Sequence, residues 1–101
     1  MQIALSSAPV RNKDIPHNLA AMAAAIAQAA ADGADLVVFG ESTLQGFDCL
    51  CWSYAADRDM ALPLDSAPIR QLQDAARKYA TAISFGFIER DGDALYSSCA
   101  F

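Results

Sequence analysis

Asp35-Leu36-Val37-Val38-Phe39-Gly40-Glu41 sets four consecutive apolar residues between an aspartate and a glycine, then hands a carboxylate to the following loop. A run so short and so apolar reads as a strand buried on both faces, which predicts a parallel sheet covered by helices. In open α/β sheets, ligands gather beyond the carboxyl ends of such strands. Glu41 stands at that edge, before Ser42-Thr43-Leu44-Gln45-Gly46-Phe47. A carboxylate partly withdrawn from water there is a candidate general base, because desolvation raises its pKa toward the useful range. The position equally suits a solvated glutamate opening a polar loop, and position alone does not separate the two.

Working outward, Gln2-Ile3-Ala4-Leu5 reads as a first strand and Asp14 to Ala31 as a helix. Asp14 is the expected N-cap, Pro16 fits the first turn, and Gly33 supplies the stop. Leu19, Met22, Ala23, Ile26 and Ala30 fall on one stripe, predicted to pack on the sheet. Strand, helix and strand make a βαβ unit. Beyond Glu41, residues 41–63 lose clean periodicity and mix Phe47, Trp52 and Tyr54 with Asp48, Asp57 and Arg58, which predicts a long loop with one short helix. Ser66 and Pro68 open a second long helix with Ile69, Leu72, Ala75, Ala76 and Tyr79 on its apolar face. A strand from Thr81 to Ile88, a turn over Glu89-Arg90-Asp91-Gly92-Asp93 and a return strand from Leu95 to Phe101 complete the order.

The fold class is therefore α/β, in the order β-α-β-(loop)-α-β-β. The 101 residues suffice for one domain at most, and a hydrophobic fraction of 54% with mean hydropathy +0.19 excludes a disordered segment. A net charge of −5 with no basic run argues against nucleic acid. Leu19 to Ala31 is too short and too alanine-rich to span a bilayer, and no signal-type stretch opens the chain, so no membrane is expected and the location is read as cytoplasmic. Cys49, Cys51 and Cys99 form an odd set without CxxC spacing, so neither a disulfide framework nor a zinc site is indicated. A redox or metal role for Cys49-Leu50-Cys51 is sterically awkward and short of ligands. The chain stops within an apolar strand, which is read as truncation in mid-sheet.

Three blocks in order resemble the N-terminal part of the nitrilase, or carbon-nitrogen hydrolase, superfamily. The first is the opening strand and the Asn18-Leu19 helix running into Gly33 through Glu41, similar to that family's strand ending in its catalytic glutamate. The second is Gly46-Phe47. The third runs from Ala75-Ala76-Arg77-Lys78-Tyr79 through Gly86-Phe87-Ile88-Glu89-Arg90 to Leu95-Tyr96-Ser97-Ser98. The resemblance covers essentially the whole chain and implies part of an αββα sandwich, with residues 1–101 the N-terminal part of a single hydrolase domain. Three positions depart from the family pattern: Gly40 stands where Pro is usual, Phe47 where Tyr is usual, and Ser97 where Asn is usual.

The resemblance implies hydrolysis of a nonpeptide carbon-nitrogen bond in a small-molecule amide, carbamoyl compound or nitrile, without cofactor or metal, in a homo-oligomer. Glu41 would be the general base, a later Lys would stabilise the oxyanion, and a later Cys would form the thioester. Neither of those later groups lies in this chain, so the isolated 101 residues are expected to be inactive. Phe47 and Trp52 are the substrate-binding candidates, with Tyr54 beside them and Asp48, Asp57 and Arg58 near the rim. Lys78 reads as solvated, Cys49 and Cys51 as small buried hydrophobes, Cys99 as core, and His17 as surface. A different class of function, a stand-alone α/β interaction module using exposed apolar edges, remains open from sequence.

Overall fold

The computed structural model describes residues 1–101. Its elements are β1 (Ile3–Leu5), α1 (Ile15–Ala31), β2 (Leu36–Val38), α2 (Tyr54–Met60), α3 (Ala67–Tyr79), β3 (Ala82–Asp91) and β4 (Ala94–Ala100). The sheet order is β1-β2-β3-β4. β1 and β2 pair in parallel, as do β2 and β3, whereas β4 returns antiparallel along β3. The mixed α/β architecture, the βαβ unit and the short helix inside the long connection are as the sequence predicts.

Helix α1 starts where its chemistry dictates. The Asp14 carboxylate accepts from the His17 N–H at 3.1 Å, Pro lies in the first turn, and Gly33 takes φ +87 just beyond the end. Its inward stripe is Asn18, Met22, Ile26 and Ala29. That is rotated from the predicted stripe, with Ala29 rather than Ala30 buried, because α1 packs against α3 as well as on the sheet. At α3 the apolar face is as predicted, with Ile69 and Leu72 buried. Ser66 precedes that helix, but its hydroxyl makes no capping bond and is a buried oxygen without a partner.

Both long helices lie on one face of the sheet. Val37, Phe39, Ile83, Phe85 and Phe87 meet Met22, Ile26, Ile69 and Leu72 there to form the main core. Phe85 and Phe87 stack tilted, with centroids 5.7 Å apart. The expectation that β2 is buried on both faces fails: Val37 is buried, but Leu36 and Val38 are only half-buried, and Ile3 and Leu5 beside them are exposed. Alternating side chains of one strand face opposite sides, and no helix of this chain covers the second side. Farther along β3 that second side is covered by the connection after β2, where Ile88, Cys49 and Ala61 make a small second core.

The hairpin is tighter than predicted. β3 runs through Glu89 and Arg90 to Asp91, which pairs with Ala94, leaving only Gly92 and Asp93 as the turn. Gly92 takes φ +59 at the first of those two positions, where a type II′ hairpin places glycine.

Candidate active site

Strand β2 ends at Val38, yet the chain stays beside β3 for two more residues: the Phe39 N–H donates to Ser84 O at 2.8 Å, and the Gly86 N–H donates to Gly40 O at 3.3 Å. Glu41 follows at once, so the sheet itself fixes where its main chain lies. The approach to β3 is close. A Cβ on Gly86 would stand 2.8 Å from Glu41 Cα and 2.8 Å from Ser42 N, so only glycine admits this contact.

The loop after Glu41 is held by side-chain amides that bond main chain in pairs. Gln45 is fully buried; its amide donates to Ile88 O and its carbonyl accepts from the Ile88 N–H, both at 2.9 Å. Asn18 is also fully buried, accepting from the Arg11 N–H and donating to Arg11 O at 2.7 Å and to Leu44 O at 3.1 Å. Asn12 clasps Asp48 in the same way, donating to its carbonyl at 2.7 Å and accepting from its N–H at 3.0 Å. Gly46, at φ +102, comes so near Asn12 that a Cβ would lie 2.7 Å from Asn12 Cα. Buried polar groups satisfied in this way fix a single loop conformation. Sequence reading missed Asn12, Asn18 and Gln45; an isolated amide among apolar residues carries no periodic signal of its partner.

Glu41 itself is exposed, which corrects the expectation that it is partly withdrawn from water. It forms no ion pair in this chain. Its Oε1 accepts a hydrogen bond from the Ser97 hydroxyl at 3.2 Å, and together with Phe39, Gly40, Gly86, Ser98 and Cys99 the two residues line a depression of about 310 Å³. Cys99 is exposed there rather than in the core, and its thiol contacts Ser84 Oγ at 3.5 Å.

A second cavity, of about 330 Å³, adjoins the first and shares Ser97 with it. Trp52 and Tyr54 line it with Leu50, Asp57, Ile88, Leu95 and Tyr96. Trp52 stands on that cavity wall with an exposed indole and a positive φ of 63°. Phe47 does not line this cavity: it is largely exposed, and its ring stands beside Gly40, 3.6 Å from where a Cβ would be. That spacing is ordinary contact, so a methyl group at position 40 meets no obstacle from Phe47.

Of the rim candidates, only Asp57 lines the cavity, and it is buried rather than at the rim. Its Oδ1 accepts from the Cys51 N–H at 2.9 Å and from the Cys51 thiol at 3.3 Å. The Cys51 N–H above all, helped by the thiol and the Trp52 N–H, outweighs desolvation and holds the carboxyl below the usual aspartate value. Arg58 turns away toward Asp93 at 3.8 Å, and Asp48 bonds Asn12 through its backbone. Cys49 is buried as expected, against Ser42 Oγ at 3.4 Å, whereas Cys51 is exposed. Lys78 is exposed on α3, its Nζ 5.2 Å from the Tyr79 ring centroid. No group of His, Cys, Asp or Glu stands together to hold a metal ion, and no helix is long and apolar enough to cross a membrane.

The chain is similar to several known proteins. An arylacetonitrilase of Hypocrea virens is 36% identical over 80 residues, an alignment covering 72% of this chain and 24% of that protein. An aliphatic nitrilase of Rhodococcus rhodochrous is 36% identical over 81 residues, covering 70% and 22% respectively. The chain thus spans about a quarter of the length of these curated relatives. Among solved structures, an amidase from Nesterenkonia sp. is similar with TM-score 0.70 and 26% identity over 91% of this chain and 34% of that one. A double mutant of the amidase from Nesterenkonia sp. AN1, in complex with acrylamide, is similar with TM-score 0.70 and 25% identity over the same shares. The carbon-nitrogen hydrolase family model matches residues 2–101, nearly every position discussed above, and the chain belongs to that family.

Proposed function

We propose that residues 1–101 form the N-terminal part of a single carbon-nitrogen hydrolase domain that opens a nitrile or amide, with Glu41 as its general base. The observation that carries this reading is the way Glu41 is held: its main chain is docked on β3 at Gly86, while its carboxylate stays accessible beside a depression. A base must be positioned before it is useful, and a fixed backbone under a free carboxylate meets that need. Glu41 would take the proton of a thiol and pass it to the departing amine. The attacking Cys and an oxyanion-stabilising Lys belong, in this proposal, to the rest of the protein. Trp52 would line the substrate side, and Phe47 would act through Gly40 rather than through substrate.

In the full-length protein, Glu41→Gln should lower turnover of phenylacetonitrile or acrylamide by about 10³-fold, within the range general bases supply. Turnover within tenfold of the parent would remove Glu41 from the mechanism. The 101 residues alone should show none.

The exposed Ile3 and Leu5 beside half-buried Leu36 and Val38 favour association, and a homo-oligomer is part of this proposal. A cytoplasmic location is part of it too, resting on the odd set of cysteines. Light scattering on the eluting 101-residue chain tests association: a monodisperse monomer at high concentration would count against a bare apolar face.

A further inference from the structure

We infer that Ser97 is a positioning residue for the Glu41 carboxylate, an inference that rests on the base role proposed for Glu41. Glu41 rises from the loop after β2 and Ser97 from β4, on either side of β3. Between them β3 carries Gly86, whose missing side chain lets Glu41 approach, and β4 is registered so that Cys99 faces Gly86 and Ser97 faces Ile88. The Ser97 hydroxyl donates to Oε1 at 3.2 Å, the one side-chain hydrogen bond that Glu41 receives. Oε2 has no protein partner.

The two oxygens therefore have different environments. A carboxylate on an exposed, ion-unpaired glutamate rotates freely about its last torsions, which are broad for such side chains. Tying Oε1 to a hydroxyl held in a paired strand removes that freedom and leaves Oε2 as the oxygen to accept a proton. The donor is a neutral hydroxyl, so it orients the carboxylate without supplying a competing cation. A hydroxyl is also compact, and Ser97 lines both the Glu41 depression and the aromatic cavity, the route by which a substrate held near Trp52 would bring its departing nitrogen within reach of Glu41.

The test uses the full-length protein with phenylacetonitrile or acrylamide as probe, whichever it turns over faster. Ser97→Ala should lower kcat about tenfold, the scale of a hydrogen bond to a charged group, with KM within about twofold. Ser97→Thr, which keeps the hydroxyl, should restore kcat to within about threefold, and both variants should melt with the parent. A Ser97→Ala kcat within twofold of the parent, an effect confined to KM, or a Ser97→Thr as slow as Ser97→Ala would overturn the inference. Glu41→Gln separates the two layers: if it remains active, the base role falls and this inference with it; if it is inactive while Ser97→Ala is normal, only the inference about Ser97 falls.

Discussion

The Gln45 side chain and the Ile88 main chain are bonded to each other twice, N–H to carbonyl in both directions, at 2.9 Å each. The pairing stands in for a strand. Along the edge of β3 that faces β2, Phe39 and Gly40 serve Ser84 and Gly86, Gln45 serves Ile88, and Leu62 then bonds Ile88 O and the Arg90 N–H at 2.9 Å. The amide continues the ladder across the gap where the main chain leaves to form the loop.

Replacing that amide leaves the Ile88 N–H without its acceptor in a dry place. Gln45→Ala should destabilise the protein by about 3 kcal/mol, more than a simple truncation of exposed glutamine, because an unsatisfied buried group keeps its full desolvation penalty. Urea unfolding checks this. A loss under about 0.5 kcal/mol would mean that water replaces the amide without cost.

Gly86→Ala should separate stability from activity. The added methyl meets the Glu41 and Ser42 backbone at 2.8 Å, so the loop must lift off β3. We expect a loss of about 2 kcal/mol in stability, as for other overpacked sites, and about a hundredfold in kcat, as for a displaced catalytic group. Gly40→Ala, with only ordinary contact to Phe47, should be nearly neutral in both assays.

Asp57 ties its stretch of chain to pH. Its carboxyl lies below the ordinary aspartate value of 3.8, chiefly through the Cys51 N–H, so its contribution to folding is complete above that value and is lost as pH falls through the lowered one. Trp52, the single tryptophan, reports on this segment. Its fluorescence anisotropy should hold steady down to pH 4 and fall below it. In Asp57→Ala the anisotropy should already be low at pH 7 and show no step in that acid range. A wild-type step near neutral pH would contradict the assignment.

Trp52→Ala tests the aromatic cavity as a specificity element. In the full-length protein it should raise KM for phenylacetonitrile about tenfold while leaving KM for acrylamide within about twofold, since stacking on an aryl ring is lost only for the first. Phe47→Ala should change kcat for both probes alike, because its ring stands beside Gly40 rather than on the wall of that cavity.

What was legible in the sequence is what local chemistry decides. Asp14 and Pro16 mark the start of α1 and Gly33 its end, and Gly92 marks the hairpin, although β3 extends farther than its turn-rich end suggests. Glu41 could be picked out because an apolar strand hands it directly to a loop. Gln45 could not, since Ile88 lies 43 residues away, nor could Asn18, whose Leu44 contact spans 26. Cys99 was misread because alternation in a strand tells which residues share a face, not which face is covered. The same gap in information hid the uncovered side of Leu36 and Val38.

The clamps on the Glu41 loop also set an order of events during synthesis. Asn12 and Asn18 precede the loop, Gln45 lies within it, and its last partner is Ile88. Once β3 clears the ribosome, every one of these partners is available. The loop beneath Glu41 can thus close before Ser97 has emerged behind it, leaving its hydroxyl to join an already seated carboxylate.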